Sequence, residues 1–216
     1  MDEAIVIISN IGVAILALNT IIYFTGFTTN GKAYKFLCLY LLISCAIQVI
    51  MSVLAYKGEN NLFLSGYYLF SQFILLSGFF YHLFSPFYKQ RCYLIKYVSI
   101  AVTAGLVIQY FLDNGLYFTF NPIGFLITSL VLITYAVLYI FELLTQKLAF
   151  NYVTGGIFIY LISSILIFTL STSILTLNND VFSVIWQINA VLFILYQLLI
   201  LWEWKQHFLP KITKQA

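Results

Sequence analysis

Charged side chains are scarce: they make up 8% of the 216 residues, whereas hydrophobic side chains make up 62%. A soluble domain carries roughly 25% charged residues, so this chain has too few of them to cover a surface in water. Its apolar side chains exceed what one soluble core would bury, and lipid is the solvent that accommodates the excess. The composition therefore excludes an ordinary soluble domain and predicts an integral membrane protein.

Proline is also scarce, and Pro86, Pro122 and Pro210 all lie at or outside the ends of long apolar runs. Seven such runs come close to the ~20 residues that cross a ~30 Å hydrocarbon core. They cover residues 4–27, 35–56, 62–84, 93–112, 122–145, 152–176 and 181–204. Strands of a β-barrel would be shorter and would alternate in polarity. The runs therefore predict an all-α bundle of seven transmembrane helices that forms a single domain, 1–216.

Basic residues are divided unequally between the two sides of this predicted bundle. One side holds Lys57, and the side with the tail and the first, third and fifth loops holds nine of the ten Lys and Arg residues. Those nine are Lys32, Lys35, Lys89, Arg91, Lys96, Lys147, Lys205, Lys211 and Lys214. Because cytoplasmic loops retain Lys and Arg, the sequence predicts an N-terminus outside and a C-terminus in the cytoplasm.

Groups that carry chemistry are missing from the membrane runs. No run has a central Asp, Glu, Lys, Arg or His, so the residues that would form a buried proton relay or acid–base pair are missing. The sequence contains no metal-ligand spacing, phosphate loop or nucleophile elbow, and Cys38, Cys45 and Cys92 are expected to be free thiols. We therefore predict no catalytic residue, no metal and no cofactor. The dispersed basic residues likewise predict no nucleic-acid partner.

Uncharged polar side chains inside the runs are the remaining functional clue. A neutral ligand-binding cavity that opens outward is predicted at Gln48, Tyr68, Gln72, Thr128, Gln187 and Asn189. The alternative interpretation is hydrogen bonding between helices, at ~0.6 kcal/mol per contact. The sequence leaves both open, because a pocket and interhelical contacts use the same residue types.

Two ionisable residues, His82 and Glu142, lie at the predicted inner ends of the third and fifth runs. A histidine titrates near neutral pH, so His82 is a candidate pH-sensitive group. The simpler interpretation for both residues is an interfacial position. Glu142 is then expected to pair with Lys147, and Glu203, at the end of the seventh run, with Lys205.

Three stretches, 60–81, 155–171 and 186–189, resemble those of a widespread group of small bacterial seven-helix membrane proteins without soluble domains. The group often has an acidic residue at the position of Gln72 and charged residues near Thr128 and Ser129, where this chain is neutral. The resemblance therefore implies the seven-helix fold, and it implies no chemistry that needs those charges.

Continuous spans, short loops and a basic cytoplasmic rim favour a non-enzymatic sensor or accessory subunit, multi-pass in the bacterial inner (cytoplasmic) membrane. Such a subunit would bind a small or lipidic ligand, a partner membrane protein or further copies of itself. The first alternative is a small-molecule transporter or channel, although the first and last three runs show no repeat. A lipid-modifying enzyme is the second, and it would need a cavity that joins Glu142 and His82.

Reporter fusions test the predicted orientation. Alkaline phosphatase, which is active only outside the cytoplasm, is expected to be active when fused after Gly58 and inactive when fused after Lys147, because the basic loops are retained inside. Green fluorescent protein fused at the same two positions should give the reverse pattern in a bacterial host. Phosphatase activity at Lys147 would contradict the predicted topology.

Overall fold

The computed structural model describes residues 3–174 and 179–209, with side chains for 5–167 and 184–209. In this part of the chain there are seven α-helices and no strand. They are α1 (Glu3–Phe24), α2 (Lys32–Tyr56), α3 (Phe63–Phe84), α4 (Lys89–Leu112), α5 (Pro122–Thr145), α6 (Asn151–Ile174) and α7 (Asn179–Glu203). A helix satisfies its own backbone N–H and C=O groups, which is why continuous apolar runs adopt this form in lipid. The predicted all-α class is confirmed.

Six of the helices are long and apolar enough to cross a membrane. The remaining helix, α6, contributes a shorter apolar stretch, Asn151–Ile167. The count of seven spans and the orientation stay predictions. Cys38, Cys45 and Cys92 are free, as expected.

Six helices pack in a closed ring in the order α1, α2, α3, α5, α6 and α7, and α7 returns to α1. The fourth helix lies outside the ring, mainly against α3. Within the ring, α3 and α5 have the largest buried shares of their apolar windows, 50% and 44%. The contacts therefore make α4 an addition to the outer surface of the ring.

Aromatic side chains fill the end of the bundle where α1, α3, α5 and α7 finish, which we call the basic end. The Tyr34 hydroxyl donates to the Tyr23 carbonyl at 2.8 Å, and the Tyr23 hydroxyl donates to the Ile200 carbonyl at 2.9 Å. The rings of Tyr23 and Tyr34 are stacked, with centroids 5.2 Å apart. The last carbonyls of a helix have no partner within it, so these phenols satisfy acceptors at the ends of α1 and α7.

The Glu203 carboxylate ties the end of α7 to the first turn of α6. It accepts hydrogen bonds from the backbone N–H groups of Phe150 at 2.6 Å and Tyr152 at 2.8 Å, and its side chain is fully buried. The first N–H groups of a helix lack partners and carry partial positive charge, so a carboxylate stabilises them. The sequence predicts that Glu203 pairs with Lys205, but the structure places His207 beside it, with Nδ1 2.8 Å from the Glu203 carboxylate.

Phe150 shows how tightly this junction is held. Its φ of 66° lies in the left-handed region, which costs a non-glycine residue about 1–2 kcal/mol. The N–H bond to Glu203 and ring contacts to Phe79 and Phe208, at centroid distances of 5.3 and 5.1 Å, hold it there. A π-helical turn, Trp204–Phe208, brings Phe208 into this position.

Glu203→Ala is expected to lower the free energy of unfolding by about 3 kcal/mol, because it removes charge-assisted bonds to buried N–H groups. Glu203→Gln keeps an acceptor oxygen and should lose less. Tryptophan fluorescence during titration of the detergent-solubilised protein with SDS measures the change. Glu59→Ala, at an exposed loop position, is the control. Equal stability of Glu203→Ala and the control would contradict the capping role.

Candidate functional site

Four tyrosines from four helices meet inside the ring, and we call them the tyrosine cluster. They are Tyr40 on α2, Tyr68 on α3, Tyr160 on α6 and Tyr196 on α7. The Tyr40 hydroxyl lies next to those of Tyr68 and Tyr196. The rings of Tyr160 and Tyr196 are stacked, with centroids 5.2 Å apart and planes 7° apart. The cluster therefore joins opposite parts of the ring.

Polar side chains extend the cluster along the helices. The Gln72 amide donates to the Tyr68 hydroxyl at 3.4 Å, and Tyr160 lies next to the Ser164 hydroxyl. Ser164 in turn donates to the Asn189 side-chain oxygen at 3.4 Å. In both α3 and α6 the tyrosine and its polar neighbour are four residues apart, a spacing that places them on one helix face. The sequence thus builds a continuous polar interior from pairs one turn apart.

Two hydroxyls in this interior lie beside that of Tyr40 without a well-formed hydrogen bond. Ser44 is 4% exposed and Tyr196 is 2% exposed, and both lie next to the Tyr40 hydroxyl. Neither makes a hydrogen bond of acceptable geometry with the described residues. A buried polar group without a partner costs roughly 1–3 kcal/mol, a penalty that alanine and phenylalanine would avoid at these positions. The pair therefore leaves spare hydrogen-bonding capacity beside Tyr40.

The cluster is electrically neutral. Among the described side chains that are buried, Glu203 is the one with an ionisable group of the Asp, Glu, Lys or Arg type. It lies at the basic end, where it contacts the first turn of α6. An ordinary phenol has a pKa near 10, so tyrosines without charged neighbours stay protonated at neutral pH. In the described part of the chain no three His, Cys, Asp or Glu residues are grouped as metal ligands would be. What the cluster offers is hydrogen bonding and ring stacking.

The structure brings together three of the six residues predicted to bind a ligand. Tyr68 belongs to the tyrosine cluster, Gln72 bonds to it and also lies next to Tyr40, and Asn189 adjoins it through Ser164. These three come from two helices, α3 and α7, that are distant in the sequence. Whether they bind a ligand stays a prediction.

The other three predicted residues lie apart from the cluster. Gln48 is half-buried one turn beyond Ser44 on α2. The Thr128 hydroxyl is buried but donates to the carbonyls of its own helix, including that of Gly124 at 2.8 Å. Gln187 is half-buried, and nine residues separate it from Tyr196, which is about 13 Å along a helix axis.

Glu142 forms a compact polar site at the basic end. It accepts from the Tyr88 hydroxyl at 2.8 Å and forms an ion pair with Arg91, not with the predicted Lys147. The hydrogen bond to Glu142, together with burial, raises the pKa of the Tyr88 phenol above its usual value. The Arg91 guanidinium also lies 4.3 Å from the centroid of the Tyr88 ring. Both carboxylate oxygens of Glu142 and the Tyr88 hydroxyl have protein partners, which indicates a structural role.

His82, the other ionisable residue singled out in the sequence, is half-buried near the end of α3. Its ring packs against Phe36 at 5.2 Å and Tyr81 at 5.1 Å between centroids. These neighbours differ from those of Glu142, so the described contacts do not join the two residues in one site. The predicted pH sensitivity of His82 stays untested.

Sequence reasoning missed Tyr40, Ser44, Tyr160 and Ser164. The sequence contains a signal for them, because α2 and α6 each carry a tyrosine followed four residues later by a serine. Such a spacing places both hydroxyls on one helix face, whereas a single tyrosine is equally suited to the membrane interface. The repeated pair, and not either residue alone, predicts an interior polar face.

The long apolar helices and their neutral polar interior define a multi-pass membrane protein. The chain matches no protein-family model, no curated protein and no solved structure at a significant level. Its function must therefore be argued from the geometry of the site.

Substitutions of two tyrosines separate bonded from unbonded hydroxyls. Tyr40→Phe removes the hydroxyl beside Gln72 and Tyr68 and is expected to lower the free energy of unfolding by about 1–2 kcal/mol. Tyr196→Phe removes a hydroxyl without a partner, so its stability should stay within ~0.5 kcal/mol of the wild type or exceed it. SDS titration measures both, with the exposed Tyr67→Phe as control. A loss in Tyr196→Phe equal to that in Tyr40→Phe would contradict the assignment.

Proposed function

We propose that the protein is a non-enzymatic membrane sensor or accessory subunit that binds a small neutral or lipidic ligand at the tyrosine cluster. The observation that carries the proposal is the pair of buried hydroxyls of Ser44 and Tyr196, which lie beside Tyr40 without a well-formed hydrogen bond. Each such group destabilises the folded protein, and here two of them lie side by side. A ligand that hydrogen-bonds to both would remove the penalty.

The chemistry of the cluster narrows the class of ligand. Hydroxyls both donate and accept, and the amide of Gln72 does the same, so a neutral molecule with hydroxyl, carbonyl or amide groups is complementary. An ionised ligand would be buried without a counter-charge, which is strongly unfavourable. The stacked rings of Tyr160 and Tyr196 add a flat surface for an apolar or aromatic part of the ligand.

Helix packing provides a route by which binding would be transmitted. The cluster draws on α2, α3, α6 and α7, so a ligand that changes spacing within it changes how these helices meet. Tyr196 lies two turns before Glu203, which holds the first turn of α6 at the basic end. In the proposed orientation the basic end faces the cytoplasm of a bacterial cell, where its Lys and Arg residues suit an acidic partner or anionic lipid.

Comparative purification tests the proposal. The wild type and a Ser44→Ala, Tyr196→Phe double variant are purified from native membranes in mild detergent, and retained small molecules, lipids and proteins are identified by mass spectrometry. The wild type is expected to retain a small molecule near one per chain. The variant should retain at least about ten-fold less, the effect of losing one hydrogen bond of ~1.4 kcal/mol.

A matched double variant, Thr134→Val, Tyr67→Phe, is the control, because it changes the same kinds of group at exposed positions. It should retain the ligand as the wild type does. A membrane protein that co-purifies in constant ratio would support the accessory-subunit part of the proposal. Identical small molecules in all three samples, with no stoichiometric protein partner, would contradict the proposal.

A further inference from the structure

A groove of about 810 Å³ lies between α3 and α4, on the outside of the ring. One wall is α3, with Ile74, Ser77 and Tyr81, and the other is the face of α4 between residues 95 and 108. No residue of the tyrosine cluster lines it. Because α4 lies outside the ring and contributes small side chains such as Ala104, the two helices leave space between them. The groove is therefore a second, separate feature, open to lipid.

The lining of the groove changes in polarity along its length. Lys96 and Tyr81 line the part toward the basic end, whereas Ile74, Val107 and Ile108 line the part farther from that end. Lys96 is seven residues from the first residue of α4, about 10 Å along the axis. A lysine at this depth extends its ammonium along apolar surface toward the headgroups. The groove thus has the polarity of an amphiphile, with a charged end and an apolar end.

The groove is long enough to hold the acyl chain of one leaflet. Twelve residues separate Lys96 from Ile108, which is about 18 Å along a helix. Half of the ~30 Å hydrocarbon core is about 15 Å. Because Lys96 is already about 10 Å along the 24-residue α4, the groove passes the middle of this helix.

Two polar groups beside the groove lack protein partners. The ion pairs among the described residues are Arg91–Glu142 and His207–Glu203, and Lys96 belongs to neither. The Ser77 hydroxyl is 4% exposed, lines the groove and makes no hydrogen bond with the described residues. Ser77 is seven residues from the end of α3, so it lies at about the same depth as Lys96. With the Lys96 ammonium nearer the headgroups and the Ser77 hydroxyl deeper, the two groups are complementary to an anionic headgroup and to the oxygen acceptors below it.

We propose that this groove binds one anionic phospholipid from the leaflet at the basic end. One acyl chain lies along α3 and α4, and the phosphate and glycerol oxygens lie toward Lys96 and Ser77. The charge of Lys96 distinguishes an anionic from a zwitterionic lipid, and the apolar walls hold the chain. The site shares no residue with the tyrosine cluster.

Lipid exchange in nanodiscs tests whether the charge of Lys96 selects an anionic lipid. The full-length protein is placed in nanodiscs of equal phosphatidylglycerol and phosphatidylcholine with identical chains, and native mass spectrometry counts the lipids that stay bound after release. Phosphatidylglycerol is expected to be preferred, and Lys96→Gln should reduce this preference about five-fold, as expected for one basic residue near an anionic surface. Lys89→Gln, an exposed lysine at the same end outside the groove, should leave it unchanged. An unchanged preference in Lys96→Gln would overturn the proposal.

A bulky side chain placed in the groove tests whether the acyl chain of the lipid lies there. Ala104→Phe should reduce retention of both lipids at least five-fold, whereas Ala101→Phe, exposed on α4 outside the groove, should not. The two variants should unfold at the same SDS concentration. If the wild type instead retains no lipid and is a dimer that Ala104→Phe dissociates, a second copy of the chain occupies the groove and the lipid proposal is wrong.

Discussion

The contact between Glu203 and the first turn of α6 determines how the ring closes. A helix start within a membrane protein leaves N–H groups that water cannot satisfy, and one carboxylate satisfies those of Phe150 and Tyr152. It thereby fixes where α6 begins relative to the end of α7. That register in turn decides which residues meet deeper in the bundle, where Tyr160 stacks on Tyr196. The stacking of Tyr160 on Tyr196 in the neutral interior therefore depends on the Glu203 carboxylate, which lies two turns farther along α7.

The helices could be predicted because the requirement for internal backbone hydrogen bonds acts on each apolar run separately. Pro122, for example, marks the start of α5, and Asn121 before it caps the helix by accepting from the Gly124 N–H at 2.8 Å. The arrangement of the helices could not be predicted. The fourth run is as continuously apolar as its neighbours, yet α4 lies outside the ring. A helix face meets an equally apolar environment whether it contacts lipid chains or another helix. The composition of a run therefore does not tell which of its faces are buried against other helices.

The site was predicted in part for a related reason. Gln72 and Asn189 were identified because an amide in an apolar run needs a partner, and the structure supplies one for each. Thr128 was indistinguishable from them in sequence, but a threonine hydroxyl can bond to its own helix and does so here. Arg91 was passed over as the partner of Glu142 because Lys147 is nearer in sequence. The start of α4 and the end of α5 meet in space, which makes nearness along the chain a poor guide to ion pairing at a bundle end.

The third helix connects the two proposed sites. Gln72 faces the tyrosine cluster, and Ser77 lines the outer groove, five residues later along the same helix. Five residues correspond to about 140° of rotation around a helix axis, so the two side chains lie on nearly opposite faces. A ligand in the interior and a lipid in the groove would therefore press on the same helix from two sides. Any rotation or shift of α3 that favours one changes the fit of the other, and thermodynamic linkage makes that effect equal in both directions.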